Sequence, residues 1–188
     1  MDARLERSRG AILDAVIELL DAGPLSGLSI TQVATKAAVT RPTFYQHFPD
    51  LAAAARAAAF MRLDEALAHS EENEELAGEA LRAHIEKAAL EIFAYLAQHR
   101  TFFVRVMEEA GNASFFDDLV SLTGTRLVPS HIAPSEASPV YAQTVNRFFA
   151  GGLSWLAINW LRTEPVEPAE KLAQRIATLV STLSFEGR

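Results

Sequence analysis

The residues best suited to bind a polar partner lie together in the run from Thr40 to Phe48, which reads Thr-Arg-Pro-Thr-Phe-Tyr-Gln-His-Phe. Phe44 and Phe48 are four residues apart, so in a helix they share one face, which we expect to be buried. The opposite face then carries arginine, threonine, tyrosine, glutamine and histidine, and no carboxylate. Such a face suits phosphate oxygens and base edges better than plain solvent.

Most exposed positions of this run suggest a specific contact. Arg41, at the start of the helix, could donate to guanine O6 and N7. Pro42 and the methyl group of Thr43 could pack on thymine methyl groups, and Tyr45 and His47 are better placed to donate to phosphates. A metal site at His47 is not expected, because no other histidine, cysteine or acidic cluster has suitable spacing.

Three short helices must hold this run in place. The first carries apolar residues at helical spacing, and the Gly23–Gly27 break ends it. Ser29 predicts a cap for a second helix over about 30–37, and Thr40 predicts a cap for the third, with Pro42 in its first turn. Two helices joined by a turn of three or four residues are what a helix-turn-helix requires. An ordinary αα-hairpin has the same spacing, and the polar face of the third helix favours the unit that reads DNA.

The rest of the chain carries helical periodicity and no alternating strand pattern, so we predict an all-α fold. Further helices are expected over about 51–69, 81–99, 102–107 with Thr101 as its cap, 114–127, 139–162 and 168–185. The acidic run 70–75 predicts a solvated connection rather than a metal site. Prolines at positions 129, 134 and 139 predict a loop.

The charge distribution fits a protein that touches nucleic acid with one end. The net charge is −7, but residues 1–62 carry seven basic and six acidic side chains, and residues 63–188 carry ten and eighteen. The absence of cysteine excludes disulfides and thiolate metal sites. The N-terminal residues do not resemble a secretory signal, and no apolar stretch is long enough to span a bilayer. We therefore expect a cytoplasmic protein.

The sequence contains no recognisable catalytic pattern. The residue three positions before each histidine is apolar, which excludes the Glu-x-x-His pairs of di-iron bundles. Neither Gly-x-Ser-x-Gly nor His-Glu-x-x-His occurs, and adjacent acidic pairs point in different directions on a helix. We therefore expect neither an enzyme nor a cofactor.

The predicted helix over 139–162 is apolar nearly all round, so two of its faces must be covered. We expect one face to meet its own body and the other to meet a second subunit, with Gly151 and Gly152 permitting close approach. The residues assigned to this dimer interface are Phe149, Leu153, Trp160, Leu172, Ile176 and Leu183. A larger monomeric core is the alternative.

A cavity in this helical body would be lined mainly by apolar and aromatic side chains. The predicted lining consists of Phe93, Phe103, Met107, Phe148, Trp155 and Asn159. Such residues at helical spacing also fit an ordinary core. If the cavity exists, its lining favours a hydrophobic or aromatic small molecule over a sugar or a phosphate.

Four short segments resemble the N-terminal domain of TetR-family transcriptional regulators; they are Ile12–Ala15, Gly23–Gly27, Ser29–Ala34 and Pro42–Pro49. The resemblance is specific over about residues 8–60 and only architectural beyond them. It implies a DNA-binding helix-turn-helix domain over 1–50 and a helical ligand-binding and dimerisation domain over 51–188. It also implies a repressor that binds a palindromic operator as a homodimer and releases this double-stranded DNA when a small-molecule effector binds.

The resemblance also implies which residues meet DNA. The expected set is Thr31, Thr40, Arg41, Pro42, Thr43, Tyr45, Gln46 and His47. Within it, Thr31, Thr40 and Tyr45 would hold the DNA backbone, together with His47. The residues from Arg41 to Thr43 would face the bases.

Two positions depart from the family pattern. The turn between the second and third helices usually contains glycine, and here it contains Ala38. The helix after the reading helix usually opens with lysine, and here it opens with Leu51, so we expect one backbone contact per subunit to be missing. Arg56 or the arginines at positions 4, 7 and 9 could replace that contact. The alternative function is a helical small-molecule-binding or interaction protein whose N-terminal helix-turn-helix domain, called the head below, no longer reads DNA.

Overall fold

A computed structural model describes residues 3–67, 78–128, 137–164 and 167–185. All regular elements in these ranges are helical, as predicted for an all-α fold. They are α1 (Ala3–Ala22), a 3₁₀ turn (Leu25–Gly27), α2 (Ile30–Lys36), α3 (Arg41–His47), α4 (Leu51–Leu67), α5 (Gly78–Gln98), α6 (Arg100–Glu109), α7 (Ala113–Arg126), α8 (Pro139–Arg162) and α9 (Ala169–Phe185). The connection predicted over 70–75 and the prolines at 129 and 134 lie outside the described residues. In the described part of the chain, no helix is long and apolar enough to cross a membrane.

One predicted helix start is wrong. Thr101 was expected to cap the sixth helix, but α6 begins at Arg100 and Thr101 lies inside its first turn. The N-cap position is His99, whose side chain makes no capping hydrogen bond. The helix starts earlier because α5 ends at Gln98 and α6 follows almost directly, which leaves no extended residue where a threonine cap could form.

The helices form two compact units, Met1–Glu65 with His99–Phe115, and Ala66–Gln98 with Phe116–Arg188. This division differs from the predicted boundary at residue 50. The first unit contains most of α4 and all of α6 in addition to the three N-terminal helices. Its fully buried side chains include Ile12, Leu13, Val16, Leu20, Val33, Phe44, Phe102 and Val106. The last two come from α6, so the core of the head is completed by a helix distant in sequence.

Alanines form the buried side of α4 in this first unit. Ala54, Ala55, Ala58 and Ala59 are completely buried and fall at helical spacing along one side of α4. A helix whose buried side consists of methyl groups can bring its backbone close to its neighbours. The alanine-rich composition of this segment therefore supplies the buried side of the helix.

The second unit is built from α5, α7, α8 and α9. Phe93 of α5 meets Trp160 of α8 edge to face, with 5.2 Å between ring centroids. On another side of α8, the hydroxyls of Ser154 and Thr123 form a buried hydrogen bond of 3.0 Å. The Asn146 amide donates to the Gly124 carbonyl at 2.9 Å. These contacts cover two sides of α8.

Candidate nucleic-acid interface

The two helices of the helix-turn-helix begin at side-chain caps, as predicted. The Ser29 hydroxyl accepts from the Gln32 N–H at 3.2 Å, while the Gln32 side chain accepts from the Ser29 N–H at 2.8 Å, which completes a capping box. Thr40 accepts from the Thr43 N–H at 3.2 Å. Its hydroxyl also pairs with that of Thr43 at 2.8 Å. The start of α3 is therefore held by local bonds.

The turn between α2 and α3 closes with a left-handed residue. Ala38 has a φ of 52°, a region that glycine enters without strain. The Val39 N–H donates to the Ala34 carbonyl at 2.9 Å, and the Ala38 N–H donates to the Thr35 carbonyl at 3.2 Å. These two bonds form a Schellman motif. The turn therefore has the left-handed backbone conformation that glycine usually adopts, although the residue here is alanine.

The inward face of α3 is confirmed. Phe44 is completely buried and Phe48 is 5% exposed, and the two rings lie 5.9 Å apart. Arg41, Pro42 and Gln46 are exposed, and half of the surface of Tyr45 is accessible. The short polar face that the sequence predicts is therefore present on the outside of the unit.

The remaining predicted residues differ in accessibility. Thr31 is exposed on α2 and Thr40 is exposed at the start of α3, whereas Thr43 is half-buried. His47 is also half-buried, and its Nε2 lies 2.7 Å from the Ser8 hydroxyl on α1. This bond joins the end of α3 to the N-terminal helix, and no pattern in the sequence indicated it.

Leu51 stands where a lysine was expected to contact the DNA backbone. The arginines that could make that contact instead have different environments. Arg56 donates to the Ala110 carbonyl at 2.9 Å, so its guanidinium holds the end of α6. Arg9 lies over the ring of Phe48, 5.7 Å from the centroid, and remains exposed. Arg7 bonds the Ala3 carbonyl within its own helix and is also exposed. Among Arg7, Arg9 and Arg56, the two exposed arginines therefore come from α1.

Helix α6 is bound to the head by ionic hydrogen bonds. The Glu109 carboxylate accepts from the backbone N–H groups of Leu25 and Ser26 at 3.1 and 2.7 Å. Arg105 donates to the carbonyls of Leu20 and Asp21 at 2.5 and 3.2 Å, at the end of α1. These bonds satisfy backbone groups on both sides of the α1 terminus.

A buried arginine reinforces the same junction. Arg62 of α4 is 7% exposed and pairs with both carboxylate oxygens of Asp21, at 3.0 and 2.6 Å. Its guanidinium also lies 4.4 Å from the centroid of the Phe102 ring. Burial, with the charge of Arg62, lowers the pKa of the nearby His99, although the carboxylate of Asp21 opposes this shift.

Comparison with known protein families identifies the chain. The model described as "Bacterial regulatory proteins, tetR family" matches residues 12–58. The model described as "Transcriptional regulator C-terminal region", of the same family, matches residues 83–182, which is more than half of the chain. The chain belongs to the TetR family. It is therefore a transcriptional regulator with a DNA-binding helix-turn-helix domain and a C-terminal ligand-binding domain, and its architecture indicates a regulator rather than an enzyme.

Solved structures of TetR-family proteins share the fold. A regulator from Streptomyces coelicolor is 19% identical, with a TM-score of 0.65 over 93% of this chain and 81% of its own. The repressor AlkX from Dietzia sp., described as implicated in the biodegradation of n-alkanes, is 17% identical with a TM-score of 0.65, over 94% of this chain and 96% of its own. A regulator from Rhodococcus sp. is 21% identical with a TM-score of 0.53, over 94% and 99%. No curated protein matches the sequence.

The residues that the sequence assigned to two faces of α8 differ in exposure in this TetR-family chain. Phe148 and Trp155, predicted to line a cavity, are 75% and 59% exposed, and Asn159 is also exposed. Trp160, predicted to meet a partner, is 5% exposed because it packs on Phe93. Both faces are apolar, so only the position of α5 shows which one it covers, and the assignment of these residues to a cavity and to a dimer interface stays a prediction.

The other predicted residues divide between the two units. Leu172 and Ile176 of α9 are buried within the second unit, while Phe149 and Leu153 of α8 are half-buried. The side chain of Leu183 lies outside the described residues. Phe93 belongs to the second unit, whereas Phe103 and Met107 belong to the first.

The second unit carries a groove of about 1140 Å³ among α5, α8 and α9. Its lining combines apolar side chains, including Leu156 and Leu179, with charged ones, including Arg82, Lys171 and Arg175. None of the six residues predicted to line a cavity belongs to this groove. The described residues also contain no cluster of histidine and acidic side chains that could hold a metal ion.

Proposed function

We propose that this TetR-family regulator is a repressor that binds a palindromic operator as a homodimer and releases it when an effector binds. The observation that carries the DNA-binding part is the outward face of α3. Phe44 and Phe48 are buried, which leaves Arg41, Tyr45 and Gln46 exposed on a helix without a carboxylate. A regulator with such a face acts where the DNA is, so we place this protein in the cytoplasm.

The proposed contacts follow from the accessibility of each residue. Arg41 and Pro42 are exposed at the start of α3, where base-reading residues of a helix-turn-helix lie. Thr31 and Tyr45 are exposed and carry hydroxyls that donate to phosphates, and Thr40 is exposed although its hydroxyl is shared with Thr43. Thr43 is half-buried, and we include it among the proposed DNA contacts because it lies beside Arg41 on the same helix.

An exposed aromatic stripe on α8 supports the homodimer. Tyr141, Phe148 and Trp155 are seven residues apart and all are exposed. Gly152 lies between the last two, and a Cβ placed there would meet nothing within 4 Å. Soluble proteins rarely leave such an apolar face uncovered. A second copy of the same helix, related by a two-fold axis, would bury it and place two reading heads on one duplex.

The proposal that an effector causes release of the operator DNA is supported by membership of the family. A ligand can weaken DNA binding only if it prefers a conformation that binds DNA poorly. A small molecule shown by calorimetry to bind this chain tightly, yet leaving its affinity for operator DNA unchanged, would contradict this part of the proposal.

A DNA-binding titration tests the central part. The full-length chain is titrated against a labelled duplex from the region upstream of its own gene, at several salt concentrations. We expect affinity to fall steeply with salt because bound phosphates release counterions. Arg41→Ala should weaken binding to the preferred site about 5- to 100-fold and relax the preference at one base position. Arg147→Ala, which removes an exposed arginine of α8, is the matched control and should change neither.

The alternative function, a head that no longer reads DNA, is favoured by Leu51, which is half-buried where the family usually has lysine. Arg56 cannot replace that lysine without releasing the Ala110 carbonyl. If the wild-type chain binds its upstream region no better than an unrelated duplex and Arg41→Ala changes nothing, this alternative is correct.

A further inference from the structure

The bond between Ser8 and His47 determines which nitrogen of the imidazole carries hydrogen. The Ser8 hydroxyl donates its single hydrogen to the Leu5 carbonyl at 2.9 Å, and a carbonyl can only accept. The same oxygen lies 2.7 Å from Nε2 of His47. With its hydrogen on the Leu5 carbonyl, the oxygen accepts from the imidazole, and this arrangement assigns the ring hydrogen to Nε2. In the neutral ring Nδ1 is then an acceptor with a free lone pair.

The other ring nitrogen of His47 is open to a ligand. Within the described residues Nδ1 makes no hydrogen bond, and it is not among their buried unpartnered polar atoms. It therefore reaches solvent on the helix that presents the proposed DNA-binding face. A phosphate oxygen is also an acceptor, so it is repelled by the lone pair of neutral His47. A phosphate would be bound only once Nδ1 has gained a proton.

The charged groups around His47 offer no internal counter-ion. On α1, Arg4 and Arg7 flank Ser8, and Arg9 lies over Phe48, the residue after His47. Glu6 is two residues from Ser8, which places it on the far side of α1.

Neither α3 itself nor the residues that lead into α4 pair a carboxylate with His47. The only charged residue of α3 besides His47 is Arg41. Before α4, the Asp50 carboxylate accepts from the Ala53 N–H at 2.7 Å. No described carboxylate forms an ion pair with His47. A phosphate would therefore be the counter-ion that favours its protonated form.

We propose that Ser8 is a positioning residue for DNA binding: it holds His47 in the Nε2–H form, so that the head takes up a proton when His47 binds a phosphate through Nδ1. This inference rests on the proposed function. Histidine side chains ordinarily change charge between pH 5 and 8, so a test of this linkage covers that range. Each engaged head then contributes up to about a tenfold gain in affinity per unit fall in pH.

The test measures the affinity of the full-length chain for its upstream duplex from pH 8 to pH 5.5 at constant salt. Wild-type affinity should rise as the pH falls, and His47→Gln should remove that rise. His84→Gln changes a histidine of α5 and should leave it intact. A flat wild-type profile would overturn the inference while leaving the proposed function standing, whereas no binding at any pH would overturn both.

Ser8→Ala separates tautomer control from simple packing. Without the acceptor at Nε2, the neutral ring can place its hydrogen on Nδ1 and donate to a phosphate at high pH. The variant should therefore bind at pH 8 at least as tightly as wild type, with a shallower dependence on pH. Ser8→Thr keeps the hydroxyl and should restore the wild-type profile. A loss of affinity by the same factor at every pH in Ser8→Ala would overturn the inference.

A spectroscopic measurement needs no DNA. Two-bond proton–nitrogen correlation spectra of the free full-length chain at pH 8 report which ring nitrogen of His47 carries hydrogen. We expect Nε2–H in the wild type and a shift toward Nδ1–H in Ser8→Ala. Finding Nδ1–H in the wild type would overturn the inference even if Ser8→Ala failed to fold.

Discussion

At the scale of single residues, Ala38 shows how a local cost is tolerated within a functional turn. Its φ of 52° is left-handed, where a Cβ approaches the following carbonyl and costs about 1–2 kcal/mol. The turn persists because the Schellman bonds and the burial of Phe44 on the next helix determine its geometry. The backbone thus requires a positive φ at this position, which glycine adopts without strain, but the residue is alanine.

Ala38→Gly should therefore increase the free energy of unfolding by about 0.5–1 kcal/mol, because relief of the strain exceeds the added entropy of the unfolded chain. The change is measured by urea unfolding of the full-length chain. Ala37→Gly is the matched control, since Ala37 has ordinary right-handed angles, φ −75° and ψ −2°. There glycine should lower stability by about 0.5–1 kcal/mol. Equal losses at both positions would contradict the strain at Ala38.

At the scale of elements, α6 belongs structurally to the head although it lies far from it in sequence. It brings Phe102 and Val106 into the core, and Glu109 binds the backbone of the 3₁₀ turn that precedes α2. The chain passes directly from α5 into α6 and reaches α7 after three residues.

Glu109→Gln tests the contribution of this contact to stability. Burial alone would raise the pKa of Glu109, but hydrogen bonds from Ser26 and Leu25 and the charge of Arg105 outweigh it and lower the pKa below its ordinary value of 4.5. The stabilisation is therefore complete above that ordinary value and is lost as the pH falls through the lower value of the folded state. We expect urea unfolding to show wild type more stable at pH 7, by less than about 1 kcal/mol because the group is exposed to solvent.

The matched control is Glu108→Gln, which changes the exposed neighbouring carboxylate. It should have no measurable effect at either pH. The difference between wild type and Glu109→Gln should disappear well below pH 4.5. A difference that stays constant at acid pH would show that the carboxylate charge does not hold the turn.

At the scale of the whole molecule, the proposed homodimer depends on the exposed side of α8. The aromatic stripe on α8 is apolar, lies on one side of the helix and is uncovered by the rest of its unit. In a two-fold dimer each of its side chains would be buried twice, once in each copy. This repetition makes a single substitution on the stripe unusually effective.

If the proposed dimer forms through this stripe, Phe148→Glu should convert it into a monomer, with the dimer dissociation constant raised at least about 100-fold. Sedimentation velocity measures the association, and circular dichroism should show unchanged helix content because Phe148 packs little within its own chain. Gln143→Glu adds the same charge to α8 at an exposed position off the stripe and should leave association unchanged. A dimer that survives Phe148→Glu would place the interface elsewhere.

The sequence by itself determined the features that depend on neighbours within a few residues. The caps at Ser29 and Thr40 follow from local hydrogen bonding, and the inward face of α3 follows from the spacing of Phe44 and Phe48. The all-α class follows from helical periodicity. Each of these is a property of one turn or one helix, which is why sequence pattern could identify it.

The tertiary structure alone decided what depends on contacts between distant segments. Trp160 and Trp155 are both apolar residues of α8, and only the position of Phe93 on α5 makes one buried and leaves the other exposed. Likewise Glu109 is 83 residues from Ser26, and His47 is 39 residues from Ser8. Periodicity shows that a face must be covered but carries no information about its partner, because hydrophobic burial has no direction of its own.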